Sequence, residues 1–217
     1  MRRSSMTAGS LKARRRCESG FSLVELAVVL VVVGALMSFV AVSANVQRVA
    51  EYNALLSRFF LGWREAYETY YTLEGPLVSE EDVEPLCEEA LLERMMSLGV
   101  ELPAGRARGA EDRAVYLAPD GLQRQVDVCF LVVEDWFAGL DAEDEPELVQ
   151  AYVLRITNLS SDLARKLDTA IDGYADAGWG AFRSEDAYAS GDPDRWPDLY
   201  APTGELVSVT AYWRMGD

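Results

Sequence analysis

The sequence predicts an α+β fold: a long N-terminal helix, apolar along its first half, packed on an antiparallel β-sheet of about four strands. Three observations predict it. From Phe21 to Val42 the chain reads FSLVELAVVLVVVGALMSFVAV, with Glu25 its only charge. Beyond it, Val42, Val46, Val49, Asn53, Leu56, Phe60, Trp63, Tyr67 and Tyr70 follow steps of four and three, one face of a helix with Asn53 the only break. Later segments alternate apolar and polar residues with the period of strands.

About 20 apolar residues suffice to cross a bilayer as a helix, where the backbone must bond to itself, so 21–42 is expected to span a membrane. Arg2, Arg3, Lys12, Arg14, Arg15 and Arg16 precede it against a single acid, Glu18. Such a cluster stays cytoplasmic and sends the rest of the chain across. The second half of the helix, 43–73, keeps an apolar stripe to hold a globular domain, and its Tyr and Trp residues read as core. Gly75-Pro76 ends the run.

The remainder, 74–217, reads as one globular α+β domain. Ser79 followed by Glu80, Glu81 and Asp82 starts a short helix to about Leu98, with Pro85 able to delay it. Strands are expected at 113–118, 124–134, 148–157 and 206–214. In the second, Val126, Val128, Phe130 and Val132 share one face; in the last, Val207, Val209, Ala211 and Trp213 do. A helix from Ser161 to Gly173 lies between the last two strands, with Leu163, Leu167, Ala170 and Ile171 inward.

Composition excludes several functions. The 217 residues carry 20 Lys+Arg, 36 Asp+Glu and no His, for a net charge of −16. The acidic balance argues against a nucleic-acid partner. Without His there is no His-based triad, His-ligated zinc or histidine pH switch. No G-x-S-x-G, phosphate loop or CxxC is present, so no enzyme is expected.

Glu25 is the anomaly, because a carboxylate inside a membrane helix costs roughly 2.5–3.5 kcal/mol at its centre. Its setting is Gly20-Phe21-Ser22-Leu23-Val24-Glu25-Leu26, between a basic leader and an apolar run. That pattern resembles the N-terminus of type IV prepilins and type II secretion pseudopilins. The resemblance implies that prepilin peptidase removes 1–20, cutting between Gly20 and Phe21, and methylates Phe21. It implies that Glu25 pairs with the N-terminal amine of a neighbouring subunit, setting register more than adding net stability. It implies partners: other pilins or pseudopilins met through the N-terminal helix, and an inner-membrane assembly platform. The pilin fold it implies is the same helix-on-sheet arrangement. The location is the bacterial inner membrane, with the domain periplasmic, and then a pilus or pseudopilus. The pattern Leu167-Asp168, Ile171-Asp172-Gly173, Gly178 also resembles a stretch of minor pilins and pseudopilins, less one Asp.

On this reading Cys17 leaves with the leader, and Cys87 and Cys129 are expected to form a disulfide in the oxidising compartment. Asp192, Asp194 and Asp198 cluster in one loop, hard oxygen ligands of the kind calcium takes, and some pseudopilins bind calcium in a C-terminal loop. The alternative is a solvated acidic loop, as for Asp141, Glu143, Asp144, Glu145 and Glu147; no other cofactor is expected. The function implied is a low-copy minor pilin, with a type II secretion pseudopilin the close alternative. A different class stays open: cleavage after Val42-Ser43-Ala44 would release a secreted acidic binding domain.

Overall fold

The computed structural model describes residues 22–79, 84–140 and 146–216, and omits the side chains of 39–45, 140 and 146. It divides into two units, Met1–Ala44 and Asn45–Asp217. The expected leader, Gly20, Phe21, the Glu80-Glu81-Asp82 helix start and the acids Asp141 to Glu145 lie outside the described residues.

Helix α1 runs Leu23–Leu55. In the first unit its described side chains, Leu23 through Ser38, are all exposed. Among the described residues no helix is long and apolar enough to cross a membrane. The expected span 21–42 is thus described only in part, its last four side chains and Phe21 being omitted.

In the second unit the helical path continues through a π-helical segment, Leu56–Phe60, into α2, Leu61–Glu74. This corrects the predicted stripe. Tyr52 and Leu55 are buried before the π segment, Phe59 and Phe60 at its end, and Trp63, Tyr67 and Tyr70 after it. Val46 and Val49 are exposed, as is Asn53. A π turn admits one extra residue, and each residue turns the helix by about 100°. The two faces therefore join at adjacent Phe59 and Phe60, and Asn53 is no break because it lies off the face. Gly75, with φ of 95°, stops α2 and donates its N–H to the Tyr71 carbonyl at 2.9 Å.

The sheet has six strands, not about four: β1 (Leu86–Cys87), β2 (Arg113–Leu117), β3 (Gln123–Leu140), β4 (Pro146–Ser160), β5 (Phe182–Ser184) and β6 (Ser208–Arg214). All pairings are antiparallel, in the order β1-β3-β4-β6-β5, with β2 beside β1 on the same edge of β3. The two unforeseen strands have two and three residues, too few for an alternating pattern to register. Helix α3 spans Glu88–Ser97 rather than starting near Ser79. Pro85 pushes the residue before it out of helical conformation. Cys87 is extended (φ −130°, ψ 169°) and pairs with Cys129 across the ladder.

One face of the sheet (Val126, Val128, Phe130, Leu154, Ile156, Ala211, Trp213) packs on the helical stripe, α3 and α4 (Ser161–Asp172). Phe130 lies at the centre: Tyr67 stacks on it at 5.4 Å and Trp63 meets it edge-on at 6.0 Å. The opposite face carries a smaller cluster of Val133, Trp136, Ala151, Val153 and Tyr212. A register shift between Val133 and Trp136 puts one extra residue into β3 and brings Trp136 onto the same face as Val133. In α4, Leu163 and Leu167 point inward as predicted, but Ala164 and Asp168 are buried where Ala170 was expected.

Candidate functional site

The N-terminal candidate begins at Ser22. Its N–H donates to Glu25 Oε2 at 2.9 Å, and its hydroxyl accepts from the Glu25 N–H at 3.4 Å. This is a reciprocal capping box, which satisfies two of the helix's first free donors. The S-x-x-E spacing explains how this helix carries an acid in its first turn: the carboxylate bonds the backbone and faces the positive end of the helix dipole. Around it Leu23, Val24 and Leu26 are exposed, as are the apolar residues that follow up to Met37. The surface therefore joins an apolar helix to one carboxylate held at its head.

The second candidate lies at the C-terminal end of α4. Asp168 is buried, and its Oδ2 accepts from the Trp196 indole N–H at 2.6 Å and the Asp176 N–H at 2.7 Å. Asp172 accepts the Ala181 and Phe182 amides at 3.0 and 2.9 Å, fixing the start of β5. Asp176 Oδ1 accepts from Gly178 and Asp194, both at 3.0 Å. Ser161 Oγ and Arg165 Nη2 add bonds to the carbonyl of Pro197, and Arg165 also bonds that of Trp196. The segment 174–198 is thus fastened to α4 by two carboxylates, Asp168 and Asp172, while a third at the same spacing, Asp176, ties the segment to itself. Burial pushes the Asp168 carboxyl up to about 7, against the lowering effect of its Trp196 and Asp176 donors.

Within this segment Arg183 is buried, donating to the carbonyls of Gly180, Phe137 and Tyr188 and lying 4.2 Å over the Trp136 ring. Burial holds its guanidinium down near 10. Gly178 passes so close to Asp192 that a Cβ would overlap the Asp192 carbonyl oxygen. Gly178→Ala is therefore expected to destabilise the domain by about 1–3 kcal/mol, the cost of overpacking against backbone. A denaturant titration with an unchanged midpoint would show that the segment can shift instead.

The predicted site residues fall as follows. Gly20 and Phe21 lie outside the described residues, and Glu25 heads α1. Cys87 and Cys129 form a disulfide across β1 and β3, with Cα atoms 4.5 Å apart. Asp192, Asp194 and Asp198 share the segment but do not converge. Asp194 Oδ1 accepts the following amide, Arg195 N–H, and Asp198 lies in a cleft with Arg165 and Trp196. Among the described residues no group of three acids or cysteines is placed to hold a metal ion. Asp176 was missed, although it continues the four-residue spacing of Asp168 and Asp172, which the Leu-Asp…Ile-Asp-Gly pattern had marked.

The chain is led by a helix whose exposed apolar head carries a capped carboxylate, and a six-stranded antiparallel sheet follows in the second unit. Residues 15–41 match the family described as the prokaryotic N-terminal methylation motif. The match is confined to that N-terminal stretch and is consistent with the class III signal of type IV prepilins and pseudopilins. No curated protein and no solved structure matches it.

Proposed function

We propose that this chain is a minor pilin of a type IV pilus, a low-copy structural subunit without catalytic activity. It is held in the inner membrane by the 21–42 helix, cut between Gly20 and Phe21 by prepilin peptidase, and built into the filament through that helix. The observation that carries this reading is the methylation motif over 15–41 coinciding with an exposed apolar helix that begins at the Ser22–Glu25 cap. Low copy follows from charge. Beyond Gly20 the chain has 14 Lys+Arg against 35 Asp+Glu, a net −21. A homopolymer of such subunits would repel itself unless cations screened it.

The test is the N-terminal mass of the mature chain from membranes or sheared filaments. A methylated Phe21 at the N-terminus is expected. A chain beginning at Asn45 overturns the reading in favour of a secreted acidic domain.

A further inference from the structure

We propose that the segment 174–198 is an acid-tightened latch on α4, with the Asp168 carboxyl as its proton-binding group. Asp168 is 0 % exposed, and its Oδ1 is buried with no hydrogen-bond donor. Its other oxygen already takes two donors, both from the segment. The Asp172 carboxylate stands close enough on the same helix to accept a hydrogen bond from a proton on Asp168. A protonated Asp168 thus satisfies its buried atoms, whereas an ionised one leaves a bare oxygen beside a second negative charge.

The groups around it set the balance. From α4 come Asp172 and, one turn back, Arg165, whose Nη2 is engaged by the Trp196 and Pro197 carbonyls. From the segment come the Asp176 amide and carboxylate and the Trp196 indole. From β5, which is itself part of the segment, the Arg183 cation acts on Asp172 and Asp176. None of these is a cation bonded to Asp168 itself, so a proton is the ligand that completes the cluster.

The sign follows from the raised carboxyl, about 7 in the folded chain against an ordinary 3.8. Between those values the closed segment holds one proton more than the open one. Closure is strongest below about pH 4, weakens as pH rises towards 7, and is constant above. Asp112, also pushed up by burial, acts with the same sign, so the comparison must be with a variant.

The experiment is backbone hydrogen exchange on the full mature chain in detergent micelles, corrected for intrinsic exchange rates. In the wild type, protection of 174–198 is expected to fall by up to about tenfold per pH unit between pH 5 and 7 and then level off. Asp168→Asn, which keeps the acceptor and supplies a permanent donor, should flatten that dependence while β3 and β4 are unaffected. An equal fall in wild type and variant overturns the proposal. If the variant does not fold, a carboxyl-carbon NMR titration of the wild type decides: a midpoint for Asp168 near 7 supports the latch and one below 5 overturns it.

Discussion

Glu25→Val is expected to insert and be cleaved normally yet to be missing from filaments. Removing the carboxylate favours insertion, because a charge in a membrane helix costs up to roughly 2.5–3.5 kcal/mol. On the proposed assembly role, what is lost is the partner for a neighbour's N-terminal amine. Leaving one member of a buried ion pair alone costs about 3–5 kcal/mol, and 1.4 kcal/mol is tenfold, so incorporation should fall by at least about 100-fold. The structure supplies a second substitution that separates two roles. Glu25→Gln keeps an oxygen able to accept the Ser22 N–H bonded at 2.9 Å, but it has no charge. If pairing is the role, Gln fails like Val. If capping is the role, Gln assembles and Val does not. Immunoblots of sheared filaments against membrane fractions read both. Wild-type incorporation of Glu25→Val would remove Glu25 from the assembly mechanism altogether.

The helix-on-sheet plan was legible because each element carries a long pattern. The four strands read from alternation correspond to β2, β3, β4 and β6, and the helix read over 161–173 is α4 (Ser161–Asp172). What escaped was local. The π segment leaves two overlapping stripes, Tyr52-Leu55-Phe59 and Phe60-Trp63-Tyr67-Tyr70, offset by one residue. A single 3.6-residue template can follow only one of them, so it ran the second stripe back through Leu56 and Asn53. The adjacent pair Phe59-Phe60 was the available signal, since one regular helical face does not centre on two neighbours.

The site was legible to different depths at its two ends. At the N-terminus the proposed chemistry is covalent processing of a linear motif, so the motif itself is the candidate site. The S-x-x-E cap lies in the same stretch and follows from spacing alone. In the C-terminal segment, the dense acids Asp192, Asp194 and Asp198 drew the calcium reading. The folded chain instead uses Asp168, Asp172 and Asp176 to bond backbone amides. Sequence density reports how many carboxylates a loop holds, whereas convergence depends on backbone direction. The buried Asp168 was harder to foresee, because an acid beside an apolar stripe normally reads as its solvated border.

The disulfide makes the other large prediction. Replacing both Cys87 and Cys129 by Ser is expected to lower unfolding free energy by roughly 4 kcal/mol, the chain-entropy value for a loop closing across 42 residues. The local reason is that β1 contributes only Leu86 and Cys87 to the ladder, too short a strand to hold itself on β3. Its covalent tie also anchors the start of α3, which buries Leu91, Leu92 and Met95 in the main core. Those side chains give α3 an independent hold, so the two contributions can be told apart. If the bond matters mainly by restricting the unfolded chain, denaturant titrations will show the full loss while hydrogen exchange in α3 keeps the protection of the sheet. If it matters by holding β1 in place, α3 will exchange ahead of β3 and β4 in the double variant. A loss below about 1 kcal/mol would mean that burial alone fixes this corner of the fold, and the disulfide would then have no structural role.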